Sequence, residues 1–114
     1  MQRSTCGATD LDAVFGALAD PTRRRIVERL ARKPLTVGEI ASEFPLTQPA
    51  ISKHLRVLEA SGLLERRIEG RVHYCSLSPH AMQELLNWIE RQRKYWTGAL
   101  DRLDLLLKKN ERKK

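Results

Sequence analysis

The turn at Pro45-Leu46-Thr47 constrains this chain more than any other stretch. Before it, Thr36-Val37-Gly38-Glu39 has the form of a capping box, with Thr36 as cap and Glu39 at the third helical position. Val37, Ile40, Ala41 and Phe44 then fall at helical spacing, and Pro45 ends the helix because it has no N–H to donate and crowds the preceding backbone. After the turn, Thr47 is a good N-cap and Pro49 sits in the first turn, where a missing N–H does no harm. Ile51, Leu55 and Leu58 recur on one face, and Gly62 can close the helix in a left-handed conformation. Two short helices joined this tightly form a helix-turn-helix, with the second exposed for a major groove.

The polar face of that second helix carries Gln48, Ser52, Lys53 and Arg56. Short amides, hydroxyls and cations are the groups that read base edges and hold phosphates. An ordinary amphipathic helix with a solvated face has the same pattern, so the helix alone does not decide its use.

The residues after Gly62 narrow the choice. The runs on either side of Glu69-Gly70-Arg71 read as strands, with Gly70 supplying the positive φ of a tight hairpin. Arg66, Arg67, Arg71 and His73 gather on or near its tip. A ribbon so tipped can lie along a phosphate backbone or reach into a minor groove. Glu65 and Glu69 dilute that charge, which leaves a merely solubilising hairpin as the plainer alternative. The net charge of +7 over 114 residues favours an anionic partner.

The rest of the chain reads as scaffold. Residues 1–9 form a polar leader. Leu11, Val14, Phe15 and Leu18 share a helical face, capped by Thr9 or Asp10. Asp20-Pro21 starts a second helix, with Ile26, Val27 and Leu30 inward and Arg23, Arg24, Arg25 and Arg29 largely outside. The three consecutive arginines read as a solvated face. Ser78-Pro79 begins a last helix running to about Lys108, before a basic tail at 109–114. Its stripe of Met82, Leu85, Leu86, Ile89, Trp96, Leu100, Leu103, Leu106 and Leu107 exceeds what a small core can cover, and large exposed apolar patches mark interfaces. The expectation is a homodimer formed by this helix and the first, through Leu11, Val14, Phe15, Leu18, Leu85, Ile89, Trp96, Leu100 and Leu103. A membrane-surface helix is the rival, and Glu84, Glu90, Asp101 and Asp104 on its polar side argue against it. The N-terminus has no apolar signal core and no run is long enough to span a membrane, so the chain reads as cytoplasmic. Cys6 and Cys75 form no disulfide framework, consistent with a reducing compartment.

The order helix, helix, helix-turn-helix, β-wing, helix resembles the winged helix-turn-helix repressors of the ArsR family. The residues that carry the resemblance are V-F-G-A-L-A-D-P-T-R-R-R-I (Val14–Ile26), L-T-V-G-E-I-A (Leu35–Ala41), Q-P-A-I-S-K-H-L-R-V-L-E-A-S-G-L (Gln48–Leu63) and E-G-R-V-H-Y (Glu69–Tyr74). The resemblance implies a mostly α fold with a β-hairpin wing, dimeric through its terminal helices, spanning residues 10–108. It also implies binding to double-stranded DNA at an operator with two half-sites, and repression relieved by a signal. Metal sensors of the family carry a C-x-C pair where this chain reads Thr36-Val37-Gly38. Their other site needs several ligands on the last helix, where His80 stands alone near the start. Zinc requires about four ligands at fixed geometry, so no metal or cofactor is expected, and the chain looks closer to members without metal ligands.

Within this reading, Gln48 suits adenine, Ser52 several base edges, and Lys53 guanine or a phosphate. Arg56 is placed to hold a phosphate, and Thr47 to cap, touch a phosphate, or both. His54 lies beside the apolar arc of Ala50 and Val57, which favours a structural role or a phosphate contact over base reading. On the wing, Arg71 ranks first, then Arg67 and His73. Cys75 reads as a small half-buried core residue. The sharper alternative is a thiol, activated by His73 and nearby arginines, whose oxidation shifts the wing and makes the regulator redox- or ligand-responsive. No nucleophile constellation, acid–base pair or phosphate-cradling loop points to an enzyme. The rival from another class is a dimeric interaction module that never touches DNA, which has no need for Gln48, Ser52 and Lys53 beside an arginine-bearing wing.

Overall fold

Each helix begins on a cap that the sequence supplies. The computed structural model describes residues 10–112, so the expectations for the leader and Cys6 lie outside the described residues. Asp10 accepts from the Ala13 N–H and starts α1 (Leu11–Ala17), and Asp20 accepts from the Arg23 N–H and starts α2 (Pro21–Leu30). Thr36 and Glu39 make the reciprocal capping box of α3 (Val37–Glu43), at 3.1 and 2.8 Å. Thr47 caps α4 (Gln48–Ser61) through the Ala50 N–H at 3.2 Å, and Gly62 closes that helix at φ +91°. Ser78 caps α5 (Pro79–Arg112) through the Ala81 N–H. Each such cap satisfies a backbone donor that the helix itself cannot, worth about 1 kcal/mol.

Three strands form one antiparallel sheet in the order β1-β3-β2: β1 (Leu35–Thr36), β2 (Leu64–Glu69) and β3 (Val72–Leu77). The hairpin is the expected one, joined by Gly70-Arg71. Gly70 lies at φ +63° and Arg71 stays at negative φ, as a type II′ turn requires. The strand β1 was not expected. Two residues are too few to show a period, and they become a strand only by pairing Leu35 with Cys75 and Thr36 with Tyr74. That pairing ties the start of α3 to the wing.

The chain divides into two compact units, Met1–Gln83 and Glu84–Lys114. In the first, Val14, Ile26, Ile40, Ile51, Leu55, Leu58, Leu63 and Cys75 are essentially without exposure and form the core. In the second, α5 runs on to Arg112, four residues past the expected end at Lys108. At 1.5 Å per residue its 34 residues span about 51 Å. Leu86, Ile89, Trp96, Leu100, Leu103 and Leu107, each 43–58% exposed, fall within about 100° of one another around its axis.

Two expectations need correction here. Val14 is 0% exposed and Leu85 6%, so neither has surface to offer a second copy, and both are core residues. Of the three consecutive arginines, Arg24 and Arg25 are exposed as expected, whereas Arg23 is half-buried. Arg23 donates to Ala17 O and to Gly16 O, which also accepts from the Ala19 N–H; Arg24 donates to Leu18 O, and Arg25 lies 5.8 Å over the Phe44 ring.

Candidate nucleic-acid interface

On a helix with 100° per residue, Gln48, Ser52 and Arg56 fall within about 80° of each other, with Lys53 on their flank. Gln48, Lys53 and Arg56 are exposed and Ser52 is half-buried. Ile51, Leu55 and Leu58 anchor the other side in the core. The cap residue Thr47 accepts the Ala50 N–H on its hydroxyl oxygen, which starts the helix and leaves the O–H available as a donor.

His54 lies about 200° around the helix from Ser52 and cannot share its ligand. Its ring turns toward α2, where Arg23 Nη1 donates to Nδ1 at 3.2 Å and Asp20 Oδ2 stands 3.9 Å away. The backbone N–H of Arg23 holds the Asp20 carboxyl below its ordinary range, aided by the Arg23 charge against a smaller desolvation.

The wing is fastened to the recognition helix by Arg66. Its Nε lies 3.4 Å from Glu59 Oε1 of α4, an ion pair too poorly aligned to be a hydrogen bond, and its Nη1 donates to Nδ1 of His73 on β3 at 3.3 Å. His73 is thereby engaged within the wing. On the other face of the hairpin, Arg67 lies 4.8 Å over the Tyr74 ring and pairs with Glu69 at 2.9 Å, while remaining two-thirds exposed. Arg71, in the turn itself, is exposed. Between wing and helix-turn-helix is a cleft of about 670 Å³, lined by Thr36, Gln48, Arg66, Arg71, His73 and Tyr74 among others. It brings the first residue of the recognition helix together with Arg66 and Arg71 of the wing on one concave surface.

Cys75 departs from the sharper expectation. It is 0% exposed on the inner face of the sheet, opposite Arg66, and burial pushes its thiol up despite that guanidinium. A thiol raised and shielded in this way is a poor nucleophile. As for a metal, Thr36-Val37-Gly38 offers one hydroxyl and no thiolate. Among the described residues no three His, Cys, Asp or Glu side chains gather where an ion could sit.

The signals that sequence reading missed are the arginine clamps. Arg23 reaches His54 across 31 residues, and Arg66 joins Glu59 to His73. Neither spacing repeats, so no local pattern announces it.

A helix carried into the open by a tight turn, flanked by a cationic two-stranded ribbon, defines a winged helix-turn-helix DNA-binding domain. A helix-turn-helix domain family matches residues 18–67. The chain is 44% identical over 89 residues to the HTH-type transcriptional regulator Rv2034 of Mycobacterium tuberculosis, covering 78% of this chain and 80% of that protein. It is 35% identical over 79 residues to the transcriptional repressor SdpR of Bacillus subtilis, covering 69% and 88%. Among solved structures, the ArsR family transcriptional regulator RHA00566 superposes with a TM-score of 0.70 at 38% identity, over 76% of this chain and 96% of that one. HlyU from Vibrio cholerae superposes at 0.59 and 34%, over 69% and 89%. The chain belongs to the ArsR family of helix-turn-helix transcriptional regulators.

Proposed function

We propose that the chain is a homodimeric repressor that reads an inverted-repeat operator in double-stranded DNA and acts without catalysis. The observation that carries this reading is the single polar face of α4, with Gln48, Lys53 and Arg56 exposed beside Ser52, next to the exposed Arg71 of the wing. Gln48 and Ser52 supply donors and acceptors for base edges, and Lys53 reads guanine or holds a phosphate. Arg56, Arg67 and Arg71 neutralise phosphates, so binding weakens as salt rises. His54 and His73 are structural parts of the interface in this reading, each held by an arginine.

The dimer rests on the exposed stripe of α5, with Ile89, Trp96, Leu100 and Leu103 at its centre. So much contiguous apolar surface is seldom left in water. Two copies related by a two-fold axis would set two recognition helices about one DNA turn apart. The test is selection from a random duplex library by the purified protein at near-physiological salt. The expected result is an enriched inverted repeat with half-sites about 10 base pairs apart. Salt-sensitive binding with no enriched sequence would reject the reading.

A further inference from the structure

Arg23 is placed as no other arginine among the described residues. Its Nε donates to Ala17 O at 2.7 Å and its Nη2 to Gly16 O at 3.4 Å, a carbonyl shared with the Ala19 N–H, so two carbonyls at the end of α1 hold one edge of the guanidinium. Its backbone N–H is the one Asp20 accepts at 3.0 Å to cap α2. A guanidinium is planar and rigid. With one edge held by α1, the direction of Nη1 is set, and it meets Nδ1 of His54 at 3.2 Å.

A guanidinium can only donate, so Nδ1 must present its lone pair and the ring hydrogen of a neutral His54 sits on Nε2. The charged groups facing the ring from the α1–α2 corner are Arg23 and Asp20. Asp20 Oδ2 stands at 3.9 Å, beyond hydrogen-bond reach, and is already committed to the Arg23 N–H. His54 is thus the point at which α4, on the flank away from Ser52, is pinned to the α1–α2 corner.

We propose that Arg23 is a positioning residue for the recognition helix: through His54 it sets the rotation of α4 against the α1–α2 corner, and so where Ser52 and Lys53 meet DNA. The proposal rests on the DNA-binding reading above. His54 points about 200° away from Ser52, so Arg23 acts on the duplex only by turning the helix. With side chains reaching about 6 Å from the axis, a 20° rotation moves their tips by about 2 Å, more than a base-edge hydrogen bond tolerates.

The first arm of the test needs no DNA. Ring-nitrogen NMR of the full chain at neutral pH should find His54 with its hydrogen on Nε2 and an accepting Nδ1. Arg23→Met, which keeps the apolar stem and removes the donors, should abolish that preference. A hydrogen on Nδ1 in the wild type overturns the proposal whether or not the protein reads an operator.

The second arm measures affinity for the duplex that the wild type enriches from a random pool. His54→Asn keeps an acceptor near the Nδ1 position, whereas His54→Gln places its polar group near Nε2. The clamp predicts near-wild-type binding for His54→Asn. It predicts about a tenfold loss for His54→Gln and for Arg23→Met, the scale of one lost base contact, with binding to a scrambled duplex unchanged. The Arg23→Met effect should vanish in a His54→Leu background. Good binding by Gln with poor binding by Asn would mean that the ring touches DNA itself, and wild-type affinity in every variant would remove Arg23 from the interface; either result overturns the proposal.

Discussion

On the proposed reading Ser52, Lys53 and Arg71 answer to different parts of a duplex, and substitution separates them. Ser52→Ala and Lys53→Ala should each cost about 1–3 kcal/mol on the selected sequence and little on unrelated DNA, as loss of a base contact does. Arg71→Ala should weaken all sequences alike and lower the slope of log affinity against log salt by about 1. Titrations against selected and scrambled duplexes at several salt concentrations distinguish the two patterns. Asp20 adds a pH dependence. Its folded-state pKa lies below the ordinary value, held there first by the Arg23 N–H, so its stabilising effect is present above that value and lost as pH falls through the folded pKa. Asn also caps helices but carries no charge. Asp20→Asn should therefore be less stable than wild type at neutral pH, with a shallower loss of stability below about pH 4. Denaturant melts across that range check it, and an identical acid limb in the two proteins would count against the charge. All the residues of the α4 polar face were legible from the sequence, because 100° per residue decides which side chains share a side. The partners of His54 and His73 were not, because the arginines that hold them come from other elements.

Elements whose signals lie within four residues were read correctly from the chain. Caps at Asp20, Thr36, Thr47 and Ser78, and Gly62 beyond α4, give helix ends that depend only on local backbone bonds. Gly62 puts a number on one of them. A Cβ there would meet no atom within 4 Å, so the cost of Gly62→Ala is conformational alone, about 1–2 kcal/mol for a left-handed L-residue. A urea melt should show a lower midpoint with an unchanged slope. Where the signal is not local, sequence reading failed. The two residues of β1 carry no period of their own, and their strand exists only as hydrogen bonds to Tyr74 and Cys75. Cys75 was read as half-buried with a reactive alternative, yet the packing around it leaves no exposure and raises its thiol.

For the whole molecule the open question of assembly becomes a measurement. Burying a Leu side chain contributes about 1.5–3 kcal/mol, so Leu100→Glu with Leu103→Glu should weaken a dimer built on the α5 stripe by at least about a hundredfold. Sedimentation should then find the wild type dimeric and the variant a folded monomer, and a variant that stays dimeric would move the interface off this helix. Taken alone, the sequence determined the helix starts, the helix-turn-helix, the hairpin with its Gly70 turn, and the polar face of α4. Each of these follows from bonds or periodicities spanning a few residues. Only the tertiary structure decided that Val14 and Leu85 are core, that Arg23 closes α1 and grips His54, and that Arg66 joins Glu59 to the wing. Those assignments depend on which distant side chains fill the same space, and a guanidinium reads the same in sequence whether it faces water, a carbonyl or an imidazole.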